Sequence, residues 1–288
     1  VMILCFDLGN TRWKWAVYEV DAPQKPYAFG VWSKSELYPD ASAHESASVS
    51  SVPAVSVLRG LLGELLRELL SELPSELPRE LSNASSLRIT QILVSSVTEE
   101  RVQLALEQAC KLEVGVSVHF ARVLLHCAGV TAAYQQLQNL GVDRWLAFLG
   151  AWNKYRSGCV VLDAGSALTA DYVSVDGEHA GGLIAPGLGL MEKALFDKTA
   201  RVKPVNLSVP QQWAPQRDTM PCVEHGLAAM LAGFVREVEQ KYPNFLFIVT
   251  GGDAALAASY ASQKVIVEPF LIFEGLLCYR NALLIGEE

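Results

Sequence analysis

Apolar and polar positions follow two different periods along the 288-residue chain. Residues 2–6 (Met-Ile-Leu-Cys-Phe) form an unbroken apolar run, the pattern of a strand covered on both faces. Beyond Asp7, the residues Trp13, Trp15 and Val17 alternate with Arg12, Lys14 and Ala16, and this period of two predicts a second strand. "FDLGNTRWKW" therefore joins strand to strand. The same design recurs in "CVVLDAGSALTADYV", where an apolar strand runs into Asp163, turns through Gly165 and Ser166, and continues as a β-rich segment to Val173. Two copies of strand, D-x-G-[NS] and strand imply an internal duplication, with related domains expected over 1–140 and 141–288. A third glycine turn, Thr250-Gly251-Gly252-Asp253, follows a strand at 245–249 and opens onto an alanine-rich helix. Helical spacing predicts helices over 99–110, 143–156, 187–196, 222–241 and 271–284, with short strands at 90–95 and 265–267.

One segment breaks the pattern. Leu58, Leu61, Leu62, Leu65, Leu66, Leu69 and Leu70 keep helical spacing, but the two "SELP" repeats put Pro74 and Pro78 where a continuing helix would lose hydrogen bonds. The helix is expected to stop near Leu73, and residues 58–86 as a whole read as a solvated insertion with no functional signal.

Composition narrows the function classes. About half of the residues are apolar (51%), which supports a sizeable core and excludes a disordered or fibrous chain. The net charge of −8, from 23 basic and 31 acidic residues, offers no basic footprint for DNA or RNA. Cys5, Cys110, Cys127, Cys159, Cys222 and Cys278 lie far apart without zinc spacing, so they read as buried thiols in a reducing cytoplasm. No apolar stretch is long enough to span a bilayer, and no secretory signal is expected. The histidines form no metal-binding array, no G-x-S-x-G elbow is present, and His225 reads as structural.

The candidate chemistry lies in the glycine turns. The Walker A loop and the dinucleotide fingerprint both open onto a helix, which the strand-to-strand loop at Asp7 does not. A turn containing Gly9 still lets backbone N–H groups approach an anion, and Asn10 and Thr11 add side-chain donors. Such a turn suits phosphate. Asp7 beside it would repel phosphate unless a cation stands between them, which implies Mg²⁺, directly or through water. The plainer alternative is that Asp7 and Asn10 satisfy their own turn, and the second loop of the same form weighs against it. In "NLGVDRW", Asp143 is either the N-cap of the following helix or a base beside an Arg144 carboxylate clamp; spacing alone favours the cap. "GGLIAPG" (181–187) reads as a turn before a helix.

Taken together, "DLGNT", "GVDR", "DAGSALTADYV", "GGLIAPGL" and "TGGD" resemble, in order and approximate spacing, the type III pantothenate kinases. This family belongs to the acetate and sugar kinase, heat-shock ATPase and actin superfamily. The resemblance spans nearly the whole chain outside residues 58–86. It implies an α/β fold of two duplicated ribonuclease-H-like, actin-like ATPase domains with a cleft between them. It also implies transfer of the ATP γ-phosphoryl group to the terminal hydroxyl of pantothenate, the first step of coenzyme A biosynthesis, by a cytoplasmic homodimer. On this resemblance Asp7, Leu8, Gly9, Asn10, Thr11, Arg12, Trp13 and Lys14 form the first phosphate loop, Ser166 lies in the second, and Thr250, Gly251, Gly252 and Asp253 flank the nucleoside. Gly141, Val142, Asp143 and Arg144 hold pantothenate, with Asp143 as base and Arg144 on the carboxylate, while Tyr134 and Thr199 line the same substrate. Asp163 matches a monovalent-cation site for K⁺ or NH₄⁺, and Mg²⁺ accompanies ATP. Ser166 stands where the family more often has Thr, and "TARVKP" lacks the usual Leu-Pro after the Thr199 position. Some relatives were first described as accessory factors in virulence regulation. A regulatory protein without catalysis, or a kinase for another small alcohol, are therefore the alternatives, and an intact Asp7, Asp143, Arg144 and Asp163 favour the active kinase.

Overall fold

Strands β1 (Met2–Leu8) and β2 (Trp13–Glu19) pair antiparallel, Asp7 opposite Lys14, as the apolar run and the alternation after it predict. The structure is a computed structural model that describes residues 1–39, 52–71, 88–198 and 213–286. Its described chain divides into two compact units, 1–122 and 123–288.

In the first unit, β3 (Ala28–Trp32) pairs antiparallel with β2, while β4 (Ile89–Ser96) runs parallel to β1 and β5 (Val118–Phe120) parallel to β4. The sheet order is β3-β2-β1-β4-β5. All of β1 is buried, and so are Ala16 and Tyr18 beside Trp13, Trp15 and Val17. The alternation in β2 is thus a weaker guide than expected, because both faces of that strand are covered. One face packs against helices α2 (Val55–Ser71) and α3 (Glu100–Glu113), with the short α1 (Lys34–Leu37) held by a Ser33–Glu36 capping box. Leu58, Leu62, Leu65 and Leu69 of α2 are all buried in this core beside Phe6 and Leu106. The start of the leucine-rich segment is therefore a wall of the core and not a solvated insertion; residues 72–87, with Pro74 and Pro78, lie outside the described residues.

The second unit repeats the sheet. Strands β6 (His126–Cys127) and β7 (Val130–Thr131) form a small hairpin, and helix α4 (Val142–Tyr155) follows. Then β8 (Cys159–Ala164), β9 (Ala167–Val173) and β10 (His179–Pro186) pair antiparallel in turn, while β11 (Leu246–Thr250) runs parallel to β8 and β12 (Val265–Val267) parallel to β11. The order β10-β9-β8-β11-β12 reproduces that of the first sheet strand for strand. This fulfils the duplication read from the two D-x-G loops. "GGLIAP", read as a turn, is instead the body of β10, which pairs with β9 through a register shift between His179 and Gly181. Helices α5 (Leu188–Lys198), α6 (Thr219–Lys241) and α7 (Ala254–Ala258) complete this unit with α8 (Leu271–Ile285). Leu227, Leu231 and Val235 of α6 pack with Leu162, Leu168 and Phe247 of the sheet.

The division falls at 122/123 and not at 140/141 because residues 123–140 are tied to the second unit: the Thr131 N–H donates to the Gly177 carbonyl (3.0 Å) and the Ala133 N–H to His179 Nδ1 (3.4 Å). Four cysteines are buried as expected, but Cys222 is exposed and Cys278 half-buried, and all six are free thiols. No helix among the described residues is long and apolar enough to cross a membrane.

Helix α4 carries Asp143 and Arg144 at its start, and every residue from Arg144 to Trp152 is buried. Such a helix needs neighbours on all sides. Against α8 the two backbones meet at glycines: a Cβ at Gly275 would stand 2.1 Å from the Leu146 carbonyl oxygen, and one at Gly150 would stand 2.6 Å from that of Leu271. Alanine at an exposed helical position usually stabilises by about 1 kcal/mol over glycine. Here Gly275→Ala is expected to destabilise by about 1–3 kcal/mol through overpacking. Chemical denaturation should give a lower midpoint at unchanged slope; a higher midpoint would mean that the helices are not in backbone contact.

Candidate active site

The first glycine turn spans residues 9–12 between β1 and β2, with Asn10, Thr11 and Arg12 exposed and Asp7 buried at the strand end. Lys14, opposite Asp7 in the ladder, brings its Nζ to 3.9 Å from Asp7 Oδ2. On the parallel neighbour β4, Ser95 pairs in register with Asp7, so both side chains leave the same face of the sheet. Ser95 is fully buried, and its hydroxyl has no hydrogen-bond partner among the described residues. A buried polar atom without a partner costs stability and is a rarity that calls for a reason.

The second and third glycine turns are stitched together inside the second unit. Thr250 at the end of β11 lies in register with Asp163 on β8, and the Asp253 N–H donates to the Ala164 carbonyl (2.9 Å). Gly251 has φ of +97°, and a Cβ there would stand 2.4 Å from both Asp163 Oδ1 and the Ala164 carbonyl oxygen. Only glycine fits that position, for conformation and for space alike. Ser166 is exposed at the tip of its turn, and its carbonyl accepts from the Gly187 N–H (3.1 Å) just ahead of α5. Asp163, Ser166 and the 250–253 turn therefore share one edge of the sheet, at the carboxyl ends of β8 and β11, where open α/β sheets bind ligands. The helix expected after "TGGD" is α7, five residues long, and Asp253 at its N-cap makes no side-chain capping bond.

At the start of α4 the capping alternative for Asp143 fails. Gly141 is the N-cap, its carbonyl accepting from the Trp145 N–H (3.0 Å), and Asp143 is the second helical residue. Asp143 Oδ1 accepts from the adjacent Arg144 N–H (2.8 Å). Burial raises the Asp143 pKa above the usual aspartate value, against the opposing pull of that N–H and of the Arg144 charge.

Arg144 is buried, and its guanidinium is already gripped. Nε donates to Asp171 Oδ2 (2.9 Å) and Nη2 to Asp171 Oδ1 (2.6 Å), the two-pronged geometry of a strong pair. Nη1 donates to the Tyr134 hydroxyl (3.2 Å). Burial works against the Arg144 charge, but the hydrogen bonds and charge of Asp171 outweigh it, and the pKa is raised. Asp171 Oδ1 also lies 3.0 Å from His179 Nε2.

The structure thus gathers Asp7 to Lys14 in the first unit. In the second it joins Asp163, Ser166 and Thr250 to Asp253 in one group, and Tyr134 with Gly141, Val142, Asp143 and Arg144 in another. Thr199 lies outside the described residues. Asp171, His179 and Ser95 escaped the sequence reading. A lone Asp between Ala170 and Tyr172 in an apolar strand was the available signal, since a buried charge almost always has a partner.

Comparison with known proteins matches this geometry to a family. The type III pantothenate kinase family model matches residues 3–241. A type III pantothenate kinase of Teredinibacter turnerae is 36% identical over 198 residues, covering 66% of this chain and 80% of the relative. One from Ectopseudomonas mendocina is 38% identical over 200 residues, covering 67% and 80%. Among solved structures, a Campylobacter jejuni protein described as a Baf family transcriptional activator superposes with a TM-score of 0.54 at 19% identity, over 96% of this chain and 98% of that one; at this identity the likeness concerns the fold alone. With the two matching five-stranded sheets and the glycine turns at their strand ends, these matches establish that the chain belongs to the type III pantothenate kinase family, of the acetate and sugar kinase, heat-shock ATPase and actin fold.

Proposed function

We propose a division of labour among the described residues for the family's reaction, the ATP-dependent phosphorylation of pantothenate that begins coenzyme A biosynthesis. Asp143 is the base that accepts the proton of the attacking hydroxyl. The observation that carries this reading is the Asp143 environment: a carboxylate in the first turn of a buried helix, its pKa raised by burial toward the working range of a base, next to a guanidinium held in fixed orientation. Arg144, through the edge that includes Nη1, and the Tyr134 hydroxyl meet the substrate carboxylate, with Gly141 and Val142 beside it. Thr199 is proposed as a further substrate contact on the resemblance alone.

ATP is assigned to the glycine turns. The exposed main chain and side chains of Gly9 to Arg12 and Ser166 are suited to phosphoryl oxygens, and Thr250 to Asp253 to the nucleoside. Phosphoryl transfer needs little beyond positioning and charge stabilisation. The residues at Asp7 fit a hard divalent cation such as Mg²⁺, because a buried carboxylate and the unpartnered Ser95 hydroxyl stand side by side on one face. When bound there, Mg²⁺ offsets charge on the transferring phosphoryl group. No group of three or more His, Cys, Asp or Glu among the described residues could hold a metal, which agrees with an ion that shares its ligands with nucleotide phosphates. Asp163 and the Ala164 carbonyl, packed around Gly251, are oxygen donors fit for K⁺ or NH₄⁺. A homodimer in the cytoplasm completes the proposal, supported by the exposed apolar side chains Leu183 and Ile184 on β10.

ADP release that depends on added pantothenate, in a coupled assay, tests the kinase reading against a regulatory protein without catalysis; release independent of pantothenate, or none, would reject it. Two predictions concern single residues. Asp143→Asn keeps the acceptor for the Arg144 N–H but not the base, so kcat should fall by about 10²–10⁴-fold, nearer the lower end for a loose transition state. An acid whose pKa is higher folded than unfolded destabilises the fold in its ionised form. That cost is present above the folded pKa and vanishes as pH falls through it. At neutral pH the Asn variant should therefore melt at or above the wild-type temperature, and the acid limb of the wild-type kcat/KM profile should lie above the usual aspartate range. Near wild-type turnover would remove the base role. For the cation, replacing K⁺ by Na⁺ should lower the wild-type rate sharply while leaving the residual rate of Asp163→Asn unmoved; equal wild-type rates in both salts would take the cation from Asp163.

A further inference from the structure

Among the described residues the most completely bonded buried polar group is Asp171, and neither the base nor the phosphate loops account for it. It lies on β9, 2% exposed, and collects three donors: Arg144 Nε on Oδ2 (2.9 Å), and Arg144 Nη2 (2.6 Å) and His179 Nε2 (3.0 Å) on Oδ1. The Ala133 N–H points at His179 Nδ1 (3.4 Å), so Nδ1 carries the lone pair and Nε2–H donates to Asp171. The imidazole is itself fixed, stacked on Phe148 at 4.3 Å between centroids and met by the Tyr134 ring at 6.1 Å. β10 leaves room for nothing else: a Cβ at Gly182 would stand 2.5 Å from Asp171 Oδ1 and 2.6 Å from Arg144 Nη2. Four pieces of chain, the segment after β7 and elements α4, β9 and β10, thus converge on one guanidinium.

A buried ion pair adds little net stability, because desolvation offsets attraction. What it does supply is direction. With Nε and Nη2 held by one carboxylate, the plane of the guanidinium is set, and the edge that includes Nη1, beside the Tyr134 hydroxyl and one residue from Asp143, is the edge left to a ligand. Asp171 also cancels most of the Arg144 charge, so a substrate anion is recognised by geometry more than by attraction.

We infer that Asp171, steadied by His179, is a positioning residue that makes this kinase selective for a substrate carrying a carboxylate, by holding Arg144 in the one orientation that can receive it. The inference rests on the assignment of Arg144 to the pantothenate carboxylate. It is tested by titrating the intact enzyme with pantothenate and with its neutral primary amide, alongside KM and kcat for pantothenate. Wild type should prefer the acid. Asp171→Asn should raise Kd and KM for pantothenate by about 10–100-fold, the usual effect of losing a supporting shell, shift kcat far less, and leave amide binding where it was, so that the preference collapses. Should Asp171→Asn fail to fold, His179→Phe keeps the stack on Phe148 but loses the donor to Asp171, and should shift the preference in the same direction, with His179→Gln restoring most of it. Equal losses for acid and amide, or a retained preference in Asp171→Asn or His179→Phe, would reduce Asp171 to a structural residue and overturn the inference. A wild type without preference would instead reject the Arg144 assignment on which it rests, and a preference lost in Arg144→Lys but kept in Asp171→Asn would sink the role of Asp171 alone.

Discussion

The bidentate pair between Arg144 and Asp171 is the constraint on which the second unit is arranged. It joins the first turn of α4 to the middle of β9, with both partners buried. A charged pair out of water tolerates no missing partner, since breaking one typically costs about 3–5 kcal/mol. Every neighbour is therefore fitted to it: His179 takes up remaining acceptor capacity on Asp171, Tyr134 accepts from Nη1, and glycine stands at position 182, where any side chain would intrude. The same constraint explains why residues 123–140 fold with the second unit, because Ala133 and Tyr134 supply two of the contacts around the network.

The second organising feature is the placement of glycine turns at strand ends. Two copies of one five-stranded order put Asp7 and Asp163 at the carboxyl ends of the leading strands of their sheets, each followed by a turn back into an antiparallel partner. The copies have diverged in their surroundings. Asp7 has Lys14 across the ladder and Ser95 beside it, a mixture of charge and unpartnered hydroxyl. Asp163 has Thr169 across the ladder and the tight turn at Gly251 against its carboxylate. One duplicated turn therefore presents two chemical environments, and these suit a divalent ion carried by phosphates in one case and a weakly held monovalent ion in the other.

Behind both lies the packing of α4 on α8 through Gly150 and Gly275. Close approach of two backbones leaves few alternative arrangements for the helix that starts with Asp143. A base and a guanidinium that must be placed within a fraction of an ångström are better carried by such a helix than by a loop. The pKa of Asp143 is set by the same burial that fixes the helix.

Much of this was legible in the chain itself, because local periodicity and turn chemistry are short-range properties. The strand at 265–267, the helices near α3, α4, α6 and α8, and the strand–turn–strand repeats at Asp7 and Asp163 follow from the spacing of apolar residues and glycine. The five motifs, taken in order, were enough to identify the family. Tertiary structure alone decided the rest. "GGLIAP" becomes a strand because β9 offers it an edge, and α2 becomes core because its leucines find Phe6 and Leu106. Asp143 is displaced from the N-cap by Gly141. Asp171 and His179 are eight residues apart in sequence, and Arg144 is 27 residues from Asp171. No local pattern encodes that meeting, since its cause is the desolvation of charges that the fold brings together, and desolvation is a property of the packed interior and not of any window of sequence.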